Sequence, residues 1–271
     1  MEKYFNFGSA NIYYSVAGNG ETIVLIHGFA EDGTIWNEQV PFLEKHCRLI
    51  VPDLPGSGQS QMLPANAGIE DYAECLNALL EHEGVDKCIV LGHSMGGYIT
   101  LALAEAYKDK LSGFGFIHST AFADNEEKKA TRKKGIRFIE EHGAYTFIKN
   151  TTPNLFSNNF KNAHLNVVQS LIEKGNNFKK EALIQYYEAM MNRPDRTQAL
   201  ANSEVPVLFV IGSEDVAAPL QDLLQQVHLP KIAHIYILEE VGHMSMLEKP
   251  EKLNKHILEF INSVNALSIG R

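Results

Sequence analysis

Short apolar runs rich in β-branched residues alternate with stretches of helical periodicity over the first 118 residues, stop, and resume near residue 205. Residues 4–7 and 11–16, joined by Gly8-Ser9-Ala10, predict an opening antiparallel hairpin at one edge of a sheet. Residues 22–26, 47–51, 88–91 and 113–117 are near-continuous apolar runs, as expected of strands covered on both faces. Between them, residues 36–43 predict a short helix and residues 98–104 an apolar one. Residues 70–83 predict an amphipathic helix with Tyr72, Cys75, Leu76, Leu79 and Leu80 on one side and Gly84 as its stop. Alternation of this kind means a parallel sheet with helices on both faces.

Residues 121–203 break the alternation and carry only helical patterns. Asp124 with Glu127 fits a capping box ahead of a charged helix through Glu141, in which Lys128, Lys129, Arg132, Lys133 and Lys134 read as a solvated face. Phe138, Tyr145, Phe147, Leu155, Phe156, Phe160, Tyr186, Tyr187, Met190 and Met191 supply the apolar content, for packing and for lining a pocket. Strands return at residues 205–211 and 232–238, and a helix at 250–261. The expected organisation is therefore an α/β core of residues 1–120 and 204–271 with a helical lid of residues 121–203 inserted in it.

Composition narrows the function. A chain of 271 residues, 45% hydrophobic and 21% charged, can bury a full core. A net charge of −9 without a basic stripe argues against nucleic acid. The N-terminus lacks a basic segment followed by an apolar one, and no apolar run approaches a membrane span, so a cytoplasmic protein acting on a small molecule, with no membrane partner, is expected. Cys47, Cys75 and Cys88 are scattered and sit in strand or helix patterns, as free core thiols do. No Cys/His spacing suggests a metal, and no cofactor is expected.

The chemistry centres on residues 90–98, VLGHSMGGY, where a buried strand stops at a serine boxed by glycines and a helix starts. A G-x-S-x-G turn lifts a hydroxyl out of the backbone, and Gly92 and Gly96 leave space for the tight strand-to-helix reversal. The pattern alone is weak; its placement between strand and helix strengthens it. His27-Gly28-Phe29 after residues 22–26 is an oxyanion-loop signal, with the Phe29 N–H expected to face the same oxyanion as the Met95 N–H. His27 reads as a loop-bonding histidine, and Asp53 in the turn-rich 53–60 segment as a structural acid. Asp215 follows residues 205–211, and His243 follows residues 232–238 on a short loop. Ser94, Asp215 and His243 thus each follow a parallel strand, on the edge where open α/β sheets place their sites.

With HGF at 27–29, DLPGSGQS at 53–60, GHSMGG at 92–97, GSED at 212–215 and GH at 242–243, nearly the whole chain resembles the α/β-hydrolase superfamily, in particular its small lidded esterases, lactonases and carbon–carbon bond hydrolases. The resemblance implies Ser94 as nucleophile, His243 as general base and then acid, and Asp215 as the acid that orients it. Serine at position 94 counts against the aspartate-nucleophile chemistry of haloalkane dehalogenases and epoxide hydrolases. Glu214 and Asp124 compete for the acid, the first diverging in direction from Asp215 and the second explained by its capping spacing. His93 points away from the nucleophile, and His118, at a strand end, is a candidate to border the pocket. A serine hydrolase cleaving an ester, thioester or lactone is the expected activity; carbon–carbon hydrolysis, perhydrolysis and non-catalytic ligand reception on the same fold are the rivals.

Overall fold

The structure is a computed structural model that describes residues 1–269. Its strands are β1 (Glu2–Phe7), β2 (Ala10–Ala17), β3 (Thr22–Ile26), β4 (Arg48–Pro52), β5 (Cys88–His93), β6 (Leu111–Ile117), β7 (Val207–Gly212) and β8 (Ala233–Leu238). Among the described residues they form one sheet in the order β1-β2-β4-β3-β5-β6-β7-β8. The opening hairpin lies at its edge: β1 runs antiparallel to β2, and β2 antiparallel to β4. Every later pairing is parallel. β3, β5 and β7 are buried at every residue, so their apolar runs serve both faces of the sheet.

Alternation along each strand sorts the core into two layers. Val24, Ile26, Val90, Phe114, Phe116 and Phe209 face one layer, with α2 (Ile69–His82) and α3 (Met95–Ala106). Ile23, Leu25, Ile89, Leu91, Leu208 and Val210 face the other, under α11 (Pro250–Ile269), which contributes Leu253, Ile257 and Phe260. The expected apolar side of α2 is buried throughout, and Gly84 after it takes φ 64°, a left-handed conformation that ends the helix without a Cβ clash. The helix expected over residues 36–43 is instead a 3₁₀ turn, Gly33–Trp36, followed by α1 (Val40–Leu43). Pro41 lacks an N–H, so it starts a new turn and cannot continue the first. The three cysteines are free and buried.

Between β6 and β7 the chain is helical: α4 (Glu126–Thr151), α5 (Asn158–Ala163), α6 (Leu165–Lys174), α7 (Lys180–Asn192) and α8 (Thr197–Ala201). α4 is broken at Gly143, whose φ of 80° and ψ of 165° fall outside the helical region. These helices rest on the loops after β3 and β4. Tyr187 stacks on Phe29 at 4.4 Å, and the Tyr186 hydroxyl bonds Ser57 Oγ at 2.8 Å and the Pro55 carbonyl at 2.9 Å. Two expectations for this segment change. The α4 N-cap is Asn125, whose side chain accepts from the Lys128 N–H, not Asp124 in a capping box. Asp124 instead lies buried between Arg132 and Arg193, so Arg132 is drawn off the solvated face that its neighbours occupy. α9 (Leu220–Leu224) and α10 (Ser245–Glu248) complete the described helices, and among these residues no helix is long and apolar enough to cross a membrane.

Candidate active site

Ser94 stands between the last residue of β5 and the first of α3 at φ 51°, ψ −115°. An L-residue in this region is strained, and such strain persists only where neighbours fix it. Here the Ser94 N–H donates to the Ile117 carbonyl at 3.0 Å, while the Ser94 carbonyl accepts from Ser119 Oγ at 2.6 Å and from the Gly97 N–H at 2.9 Å. The flanking glycines are required by close approach. A Cβ on Gly92 would stand 2.2 Å from the Gly96 carbonyl oxygen, and one on Gly96 would stand 2.6 Å from that of His27. Met95 opens α3, so its N–H belongs to the helix N-terminal set that has no intrahelical acceptor. Gly28, a Cβ on which would be 3.1 Å from Ser94 Cβ, brings the Phe29 loop against the elbow.

Asp215 lies just beyond β7 with its side chain fully buried. Oδ1 accepts from the Ala217 and Ala218 N–H groups at 2.9 Å each. Oδ2 accepts from two imidazoles, His243 Nδ1 at 2.7 Å and His118 Nδ1 at 3.1 Å. Burial alone would raise the Asp215 pKa; the two histidines outweigh it and hold the carboxyl well below the usual range. For His243 burial works against the proton, yet the Asp215 carboxylate wins and its pKa is raised above 6.5. Burial dominates at His118, which is pushed down to about 4 and is therefore neutral near pH 7. A proton on its Nδ1 satisfies Asp215, and leaves Nε2 a buried acceptor without a partner among the described residues.

The structure thus brings Asp215 and His243 into contact and sets Ser94 and His243 on the wall of one cavity of about 400 Å³, together with Phe29. Leu155, Tyr187 and Met190 line it too, which separates them from the packing residues of the helical segment. Glu214, the rival acid, is exposed and points to the Asn158 N–H. Asp124, the other rival, is held by its arginines. His27 bonds the loops, through the Leu54 N–H at 2.8 Å and the Gly28 carbonyl at 2.8 Å, and Asp53 accepts from the Gly33 and Gln59 N–H groups. A second cavity of about 380 Å³, lined by Ala104, Phe114 and Ala199, lies at the far end of α3.

Sequence reasoning missed Glu31. Its buried carboxylate accepts from the Gly28 N–H at 2.7 Å and contacts His93 Nδ1 at 2.9 Å, while His93 Nε2 contacts the His243 carbonyl at 2.9 Å. Both ring nitrogens of His93 are thereby engaged, one by Glu31 and the other by the loop that carries His243. His118, Asp215 and His243 also offer atoms close enough to hold a metal ion, all within 4.8 Å. Their Nδ1 atoms are hydrogen-bonded to the carboxylate, an arrangement that places protons where a metal needs lone pairs.

Residues 21–134 match the family model for the alpha/beta hydrolase fold. A thermophilic esterase from Thermogutta terrifontis superimposes with a TM-score of 0.91 at 27% identity, covering 97% of this chain and 99% of that one. The 3-oxoadipate enol-lactonase 1 of Acinetobacter baylyi is 24% identical over 91% of this chain and 90% of its own length. The dihydrolipoyllysine-residue acetyltransferase component of the acetoin cleaving system of Pseudomonas putida is 26% identical over 92% of this chain, which spans 66% of that longer protein. With the eight-stranded sheet, these likenesses define an α/β-hydrolase fold. The chain has the α/β-hydrolase fold, and the proteins it is similar to include an esterase and an enol-lactonase.

Proposed function

We propose that the protein is a serine hydrolase that cleaves a small to medium, partly apolar ester, thioester or lactone through an acyl-enzyme. The observation that carries this reading is Ser94, strained at the elbow and sharing a cavity with a His243 whose Nδ1 is bound to the buried Asp215. With Nδ1 protonated on Asp215, His243 Nε2 is the atom free to accept the Ser94 proton as Oγ attacks the carbonyl carbon. The oxyanion that forms would be met by the Phe29 and Met95 N–H groups, fixed before reaction so that no reorganisation is needed as charge develops. His243 then gives its proton to the leaving oxygen or sulfur, and water, activated by the same base, releases the acid. The helices of residues 121–203 act as a lid, supported by the stacking of Tyr187 on Phe29 and by the apolar side chains they turn toward Ser94. The likeness to an esterase and an enol-lactonase supports the bond type.

A fluorophosphonate probe with intact-mass readout tests the assignment. The wild-type chain should gain one adduct and hydrolyse activated esters. Ser94→Ala should gain none and lose about 10⁴ to 10⁶ in kcat, as removal of a triad nucleophile does. An unlabelled wild type, or labelling that survives the substitution, overturns the proposal.

A further inference from the structure

Asp124, Arg132 and Arg193 form a charge cluster beside the cavity of Ser94. Two guanidinium groups share the one Asp124 carboxylate, which leaves one positive charge over. Arg193 is used up inside the protein: its side chain is 3% exposed, it donates to Asp124, to the Met190 carbonyl at 2.6 Å and to the Phe122 carbonyl at 2.9 Å, and it lies 3.7 Å over the Tyr98 ring. Arg132 is not. It meets Asp124 side-on, through Nε at 2.5 Å and Nη2 at 3.4 Å, and rests on the Tyr187 ring. That geometry leaves its outer fork, Nη1 and the second N–H of Nη2, without a partner among the described residues. Arg132 is 19% exposed and lines the same cavity as Ser94 and His243.

We infer that Arg132 is the docking point for a carboxylate on the part of the substrate remote from the bond that is cut, so that the cavity selects anionic half-esters, thioesters or lactones over neutral ones. An outward guanidinium fork matches a carboxylate bidentately, and partial withdrawal from water strengthens the pair. Other charges on the cavity wall do not cancel this. Glu31 is occupied by the Gly28 N–H and His93. Glu127 is exposed, and beside it Lys128 contacts Asp222 at 3.4 Å, so these two lie at the wet mouth. The apolar requirement proposed above persists between the two ends, where Tyr187 and Met190 line the path.

The inference rests on the serine-hydrolase reading for the bond cleaved, but its binding half does not, and the test separates them. Mono-p-nitrophenyl esters of adipic, pimelic and suberic acids are compared with p-nitrophenyl hexanoate, heptanoate and octanoate, and adipate and hexanoate binding is followed by calorimetry. Wild type should favour the half-ester by about tenfold or more in kcat/KM, a preference that shrinks in 0.5 M salt. Arg132→Gln should collapse the ratio toward one and abolish adipate binding. Arg132→Lys, which keeps the charge and the partner of Asp124, should fall between the two and guards against a glutamine variant that does not fold. Lys129→Gln, on the same helix but off the cavity, should leave the ratio unchanged. Equal kcat/KM for the paired esters, a ratio that survives Arg132→Gln, or a collapse caused by Lys128→Gln instead overturns the inference. If the wild type escapes the fluorophosphonate, the hydrolase reading falls while adipate binding still decides the role of Arg132.

Discussion

Removing His118 probes how the Asp215 carboxylate is held. Asp215 has four donors, two backbone N–H groups on Oδ1 and two imidazoles on Oδ2. His118→Ala deletes the longer of the two imidazole bonds, 3.1 Å against 2.7 Å. A hydrogen bond to a charged group is worth about 1.5–3 kcal/mol, and the length of this one places it at the low end. Three donors remain, and the His243 contact is untouched. We therefore expect kcat/KM to fall by no more than about tenfold, roughly 1.4 kcal/mol, against the 10⁴ expected for an Asp215→Asn change that disturbs the tautomer.

The pH profile carries the sharper signal. His243 is raised above 6.5, so its base form, and with it activity, should appear as pH climbs through that raised value. His118, neutral near pH 7, contributes a dipole that draws on the Asp215 charge. Without it more of that charge acts on His243, and the acid limb of kcat/KM should move to higher pH. His118→Asn should restore both limb and rate, since an asparagine amide can donate from close to the Nδ1 position and tolerates the φ of 54° found there. Stopped-flow measurement of kcat/KM from pH 5 to 9 on an activated ester is the assay. An unmoved limb in His118→Ala makes the histidine a space-filler, a fall of 10⁴ makes it a required member of the proton path, and asparagine behaving like alanine refutes the hydrogen-bond argument.

Asp215→Asn should keep the fold and cut kcat by about 10⁴, while Glu214→Gln, exposed and turned toward Asn158, should change kcat less than about threefold; the reverse outcome relocates the acid. Burial would raise the carboxyls of Asp215, Asp124 and Glu31, but their histidine and arginine partners lower them. Their contribution to stability should therefore be complete above the ordinary carboxylate range of about 4 and be lost as pH falls through their lower native values. Urea midpoints should decline through that window, and Asp124→Asn should lower the midpoint at pH 7 while flattening the decline; an unaltered slope contradicts the ion-pair account.

Local signals made most of the frame readable. β3, β5 and β7 are buried on both sides, so their apolar runs are unbroken, and the glycines of the elbow are dictated by backbone contacts under 3 Å, which no side chain can satisfy. Ser94, Asp215 and His243 follow their strands because a parallel sheet delivers every strand end to one edge. What the sequence hid depends on contacts between distant residues. Arg132 reads as one of five cations on a charged helix, and only the fold shows Asp124 and Arg193 drawing it toward the cavity. The partner of His118 is 97 residues away, and that of His93 is 62 residues before it. Glu31 follows the HGF signal by two residues, and its proximity to that loop was the only trace it left.

A parallel sheet edge poses a problem that these hidden residues answer. Loops leaving the strands carry N–H groups that no neighbouring strand can pair, and burying them unpaired is costly. Here side-chain carboxylates take them: Glu31 the Gly28 N–H, Asp53 those of Gly33 and Gln59, Asp215 those of Ala217 and Ala218, and Glu248 those of Gly242, Met244 and Ser157. Glu248 grips the loop on both sides of His243 and ties it to the helical segment, while Glu31, through His93, holds the carbonyl of the same residue. Three of these acids, Glu31, Asp215 and Glu248, bear on His243 or its loop, while Asp53 joins the loops after β3 and β4. Glu31 and Glu248 thus brace the His243 loop without touching the side chain of Ser94 or His243, and it follows that Glu248→Gln would loosen the site, because an amide supplies one acceptor oxygen where this carboxylate uses both, Oε1 for Gly242 and Met244 and Oε2 for Ser157.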